Sequence, residues 1–90
     1  MLLTEEKIRQ ILESKKDWML RDNALVKTFE CNDFIDAISF VTKVGMLSEK
    51  ADHHPNISIH SWNKVELAIS THDEGGITEK DISLLNAIDP

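Results

Sequence analysis

Ninety residues make a single domain, 1–90, because a chain this short buries only roughly 60% of the surface its unfolded form exposes and has no room for a second core. Its 41% hydrophobic and 29% charged residues are the balance of an ordinary globular domain, and its net charge of −6 comes from sixteen acidic against ten basic side chains. The Lys and Arg residues are scattered rather than clustered, so neither nucleic acid nor an anionic membrane is an expected partner. The single cysteine, Cys31, excludes an internal disulfide and a cysteine-rich zinc site. No basic region followed by an apolar run opens the chain and no segment is long and apolar enough to span a bilayer, which together predict a cytoplasmic protein.

Thr4 to about Lys15 is predicted as a short helix, with Thr4 as its cap, Glu5 and Glu6 at the positive end of the dipole, and Ile8, Ile11 and Leu12 facing inward. Trp18–Leu20 and Ala24–Cys31 then form two strands around a tight turn at Arg21-Asp22-Asn23. Asn32 and Asp33 open a long helix running to about Ala51, whose apolar stripe is predicted to hold Phe34, Ala37, Ile38, Val41, Val44 and Leu47. Pro55 stands beyond its end as a stop signal. A second hairpin follows, with Ile57 and Ile59 alternating before Ser61-Trp62-Asn63 and Val65, Leu67 and Ile69 after it, the strand pattern ending near His72. Gly75-Gly76 breaks that pattern, and Thr78 with Asp81 forms a capping box for a last helix that turns Ile82, Leu85 and Ile88 inward. The fold class is therefore α+β: a four-stranded antiparallel sheet with three helices on one face, in the order α-β-β-α-β-β-α. The open edges and the mixed outer face predict an oligomer.

Three of the four histidines fall in two short runs, Asp52-His53-His54-Pro55 and Thr71-His72-Asp73, each where a regular element ends. A three-histidine metal site with Asp52 or Asp73 is one reading. It is weakened because adjacent residues point in different directions and because the i, i+4 spacing of a helical zinc motif is absent. A second reading makes the histidines ordinary polar loop residues, which the flanking carboxylates Glu49, Asp52 and Asp73 argue against. A third is metal-free acid–base catalysis, in which one imidazolium gives a proton to a leaving hydroxyl and a neutral imidazole accepts one elsewhere. Backbone groups at Ser70-Thr71 can bind the edge of a flat ring. His60, in mid-strand, is expected at the surface or in an interface.

Glu49, then three residues, then His53-His54-Pro55, then Trp62 after six more, His72 after nine more, and finally Asp81 resembles the signature of the pterin-4a-carbinolamine dehydratases. Asn63-Lys64-Val65, Ser70-Thr71-His72-Asp73, Thr78-Glu79-Lys80-Asp81-Ile82 and, upstream, Trp18 and Asn32-Asp33-Phe34 extend the resemblance over nearly the whole chain. It departs at Asn56-Ile57-Ser58, where many members carry an aromatic residue, and in the longer gap to Trp62.

The resemblance implies the same fold and the loss of water from 4a-hydroxytetrahydropterin, giving the quinonoid dihydropterin, in recycling of a tetrahydrobiopterin-type cofactor. It implies no metal and no bound cofactor, the pterin itself being the small-molecule substrate. His53, His54 and His72 would share the proton transfers, and Asp52, His53, His54, Ser70, Thr71, His72 and Asp73 would contact the pterin. Glu49 and Pro55 would support the site and Trp62 would pack beside it. A homodimer or homotetramer is implied, the dimer being favoured by the stop at Pro90 soon after the last helix. The alternatives are a non-enzymatic dimerisation or regulatory binding module on the same scaffold, or a related, molybdopterin-linked pterin role.

Overall fold

Two hairpins supply the whole sheet. In the computed structural model, which describes residues 1–90, β1 (Met19–Arg21) and β2 (Ala24–Glu30) meet across the two-residue turn Asp22-Asn23, both residues at positive φ. That left-handed pair gives the turn a twist matching its strands, and Asp and Asn tolerate it well. β3 (Asn56–His60) and β4 (Lys64–Ile69) meet across Ser61-Trp62-Asn63. β2 and β4 pair antiparallel at the centre, giving the strand order β1-β2-β4-β3. Three helices complete the expected α-β-β-α-β-β-α order: α1 (Glu5–Ser14), α2 (Phe34–Ala51) and α3 (Glu79–Ile88).

The register sorts the strand residues between the two faces of the sheet. Leu25 lies opposite Ile69, Phe29 opposite Val65, and Ile57 and Ile59 opposite Leu67 and Val65, so these side chains share one face. They form the core with Ala37 and Val44 of α2 and Leu84, Leu85 and Ile88 of α3, while Ile8 and Leu12 of α1 pack against its margin. All three helices thus cover that single face. The opposite face carries Thr28, Glu30, Glu66, Ser58 and His60, with Arg21 paired to Glu66 at 2.9 Å.

Local signals account for the helix boundaries. Thr4 accepts from the Lys7 amide, Asp33 accepts from the Asp36 amide, and Thr78 and Asp81 form a reciprocal capping box.

The stripe of α2 differs from the expected one. Ala37, Val44 and Ser48 are its buried residues, with Phe40, Val41 and Leu47 half-buried, whereas Phe34 and Ile38 are exposed together with Ile35 and Met46. The buried line runs 37-41-44-48, and Ile38 is turned about 100° away from it. The Ser48 hydroxyl is satisfied at 2.7 Å by the Val44 carbonyl, so a polar side chain sits on the core face without an orphaned group.

Asp89 closes the far end of the domain. Trp18 Nε1 donates to its carboxylate at 2.9 Å, Lys27 Nζ donates at 2.8 Å, and Lys15 Nζ donates to its backbone carbonyl. The hydrogen bond from Lys27, then that from Trp18, holds the Asp89 carboxyl below its ordinary value, against a small opposing effect of burial. Because the folded carboxyl titrates lower than the unfolded one, the clasp contributes its full stability above the ordinary carboxylate range and loses it as the pH falls through the lowered value. No helix is long and apolar enough to cross a membrane.

Candidate active site

The end of α2 sends its last residues in divergent directions. Asp52 adopts a left-handed conformation (φ 51°, ψ 42°), its amide bonding the Glu49 carbonyl while the His53 amide bonds the Ser48 carbonyl. This is a Schellman closure with aspartate where glycine is usual. It turns the chain out of the helix, and Pro55 prevents any resumption.

β4 leaves the sheet after Ile69, three residues earlier than the sequence pattern suggests. Ser70 lies outside the strand, Thr71 is extended and bridges to Gly76, and His72–Glu74 make one turn of 3₁₀ helix closed by Gly75 at φ 74°. A left-handed residue is required there, and glycine supplies it without strain. The amino end of α3 completes the surround.

These three segments enclose an open cleft of about 390 Å³ with no hydrophobic lining residue. Its walls contain Asp52, His53, His54, Ser70, Thr71, His72 and Asp73, each expected from the sequence to contact a substrate, together with Lys80, which is not. A lysine in the first turn of a charged, capped helix reads as a solvated surface residue, so no sequence signal places Lys80 here. A larger apolar groove, about 460 Å³, lies between α1 and β1 against Ile8, Leu12 and Leu20, but only Glu5, Arg9 and Glu13 add polar groups to it. It has no imidazole, thiol or hydroxyl with which to do chemistry.

The adjacent histidines engage different carboxylates. His53 Nε2 lies 2.6 Å from Asp81 Oδ1, with Asp81 fully buried, and His54 Nε2 lies 2.8 Å from Glu49 Oε1 in the open. Asp81 Oδ2 accepts from the Thr71 hydroxyl at 2.8 Å and from the Thr78 amide at 2.8 Å. Thr71 Oγ1 in turn lies 2.7 Å from Thr78 Oγ1. No buried side-chain polar atom lacks a partner. With their Nε2 atoms committed to separate carboxylates, the two rings diverge, and no three His, Cys, Asp or Glu side chains gather as a metal-holding group.

Glu49 thus stands beside the cleft through His54. Pro55 is half-buried and Trp62 is exposed, and neither is among the lining residues. The packing role expected of Trp62 gives way to a position on the β3–β4 turn. Both Ser61 and Trp62 have positive φ there, a conformation that a bulky side chain rarely adopts and that leaves the indole in solvent. Sequence reasoning misses the hydrogen bond from His53 to Asp81. Asp81 reads as a helix-cap residue, and its contact with a residue twenty-eight positions earlier exists only in the folded chain.

A polar cleft lined by three histidines, set against an antiparallel sheet backed by three helices, marks the candidate site of this α+β domain. The comparisons with known proteins specify the class further. The family model described as Pterin 4 alpha carbinolamine dehydratase matches residues 1–90, and the chain belongs to that family. A relative from Chloroflexus aurantiacus with the provisional name pterin-4-alpha-carbinolamine dehydratase is 49% identical over 97% of this chain and 92% of its own length. One of the same provisional name from Sulfurisphaera tokodaii is 42% identical with equal coverage. The crystal structure of a transcriptional coactivator/pterin dehydratase from Brucella melitensis superposes with a TM-score of 0.87 at 33% identity, covering both chains fully. A pterin dehydratase-like RuBisCO assembly factor of the alpha-carboxysome shares the fold at 19% identity and a TM-score of 0.63 over 80% of this chain and 82% of its own.

Proposed function

We propose that this protein dehydrates a 4a-hydroxytetrahydropterin to the quinonoid dihydropterin, in recycling of a tetrahydrobiopterin-type cofactor in the cytoplasm. The carbon–oxygen bond at C4a breaks as an imidazolium protonates the hydroxyl, which departs as water. A neutral imidazole removes the proton of a ring nitrogen, whose bonding electrons become the second bond of the new C=N. The reaction neither oxidises nor reduces the pterin, and proton transfer by His53, His54 and His72 suffices without metal or cofactor. Asp52, Ser70, Thr71 and Asp73 would bind the polar edges of the ring, and Glu49 would orient His54.

The observation that carries the reading is the assembly of three imidazoles with these hydroxyls and carboxylates around one cleft, in a member of this family. The cleft's entirely polar lining suits a heterocycle recognised at its edges. Exposed Phe34, Ile35, Ile38 and Met46 on α2 favour self-association as a homodimer or homotetramer, since a lone protomer leaves them in water. The same residues are what a non-enzymatic binding role would use, and the double description of the Brucella protein keeps that second reading in view.

The deciding experiment follows formation of the quinonoid product from freshly generated 4a-hydroxytetrahydropterin with chelator present. Acceleration by the wild type that falls about 10²-fold or more in His54→Ala and His72→Ala is expected for general acid–base groups. A wild type no faster than the spontaneous reaction sinks the dehydratase reading for this substrate and favours the binding module.

A further inference from the structure

Asp81 lies outside the cleft wall, yet its carboxylate is the point where the helix cap and the site meet. In an ordinary capping box the third residue of the helix serves only the cap. Here one oxygen serves the cap and the other holds an imidazole. The donors along this path can be ordered. The Thr71 hydroxyl donates its one proton to Asp81 Oδ2, so in the contact between the two threonines Thr71 Oγ1 accepts and the Thr78 hydroxyl donates, while the Lys80 amide donates to Thr78 Oγ1. The Thr78 amide also donates to Oδ2. A carboxylate only accepts, so the ring atom facing Oδ1 must carry a proton. Asp81 is fully buried and His53 nearly so, which leaves little water to substitute for either partner.

We infer that Asp81 is a positioning residue that locks neutral His53 in the Nε2–H tautomer and so makes Nδ1 the atom through which His53 exchanges protons. The inference rests on the dehydratase reading for its catalytic consequence, but the tautomer itself does not depend on any reaction. A second consequence concerns α3. Its first turn is fixed by the same carboxylate, so the imidazole is held against a helix terminus rather than a loop side chain, and its rotation is restricted by the packing of the helix.

Asp81→Asn separates positioning from structure. Oδ2 receives two donors from Thr71 and Thr78, so the amide oxygen must take that place and the amide nitrogen must face His53. The cap survives, whereas His53 Nε2 now meets a donor and the ring proton moves to Nδ1. The readout is the two-bond nitrogen–proton correlation spectrum of ¹⁵N-histidine protein at a pH where the rings are neutral. The His53 signals are identified by their loss in His53→Gln. The expected results are an Nε2–H pattern in the wild type, an Nδ1–H pattern in Asp81→Asn, and a kcat about 10²-fold lower with KM little changed.

An Nδ1–H pattern in the wild type overturns the inference, and this spectrum decides the matter even where the variant does not fold. An unchanged tautomer in a folded Asp81→Asn overturns it as well, as does a changed tautomer with an unchanged rate. A wild type without dehydratase activity would instead remove the proposed reaction and leave the tautomer lock to be judged on the spectra alone.

Discussion

His53 and His54 are neighbours in sequence with nearly the same local chemistry, an imidazole Nε2 against a carboxylate oxygen at 2.6 and 2.8 Å. Their surroundings differ. The His53–Asp81 pair is 12% and 0% exposed, whereas the His54–Glu49 pair is 59% and 81% exposed. Distance alone therefore does not rank these two contacts. In the exposed pair, water replaces either partner at little loss and salt screens what attraction exists. In the buried pair, removal of one partner strands the other, along with the hydroxyl and amide that share it. One imidazole is built into the structure and the other is presented to solvent, and the left-handed turn at Asp52 is what sends them to these different places.

The contrast is broken most severely at Asp81. Asp81→Ala removes the acceptor of the His53 ring, the Thr71 hydroxyl and the Thr78 amide together, and a loss of about 3–5 kcal/mol in unfolding free energy is expected by denaturant titration. A value under about 1 kcal/mol would mean that water reaches this network and that its burial is not what makes it different. At the turn itself, Asp52→Gly keeps the left-handed backbone without its Cβ penalty and is expected to raise stability by up to about 1 kcal/mol. A fall in stability would show instead that the Asp52 side chain supports the turn. The smallest effect is expected at the exposed pair, where Glu49→Ala changes unfolding free energy by less than about 0.5 kcal/mol. A change comparable to that of Asp81→Ala would erase the distinction between the two pairs.

Much of this architecture is legible in the amino-acid sequence. Caps at Thr4, Asp33 and Thr78 and the period-two pattern of β3 and β4 are local signals, and the elements begin and end close to where those signals place them. Seven of the eight cleft residues are legible because two short runs, 52–54 and 70–73, carry them and the resemblance to the family covers both runs. The inner face of α2 is less so. Apolar residues occupy positions 34, 35, 37, 38, 40, 41, 44, 46 and 47, too wide a band for periodicity to choose a side, and only packing against β4 and α3 selects the line through Ala37, Val44 and Ser48. Lys80 is illegible as a site residue because it reads as a surface charge, and Asp81, although it closes the family signature, reads locally as a cap, so its contact with His53 is not foreseen. Trp62 misleads for the opposite reason: an aromatic side chain usually packs, and nothing in the sequence announces the positive φ that turns it outward.

That outward indole gives the protein a pair of optical reporters with separate duties. The chain has two tryptophans, Trp18 at 3% exposure beneath the Asp89 clasp and Trp62 at 61% on the β3–β4 turn. Trp18 should emit at short wavelength and shift to the red only when the core opens, whereas Trp62 should emit as a solvated indole and change little on unfolding. A soluble quencher therefore silences the hairpin first and leaves the core visible. Any body that settles over the β3–β4 turn shields Trp62 without disturbing Trp18, so docking and denaturation write different signatures in the same native spectrum.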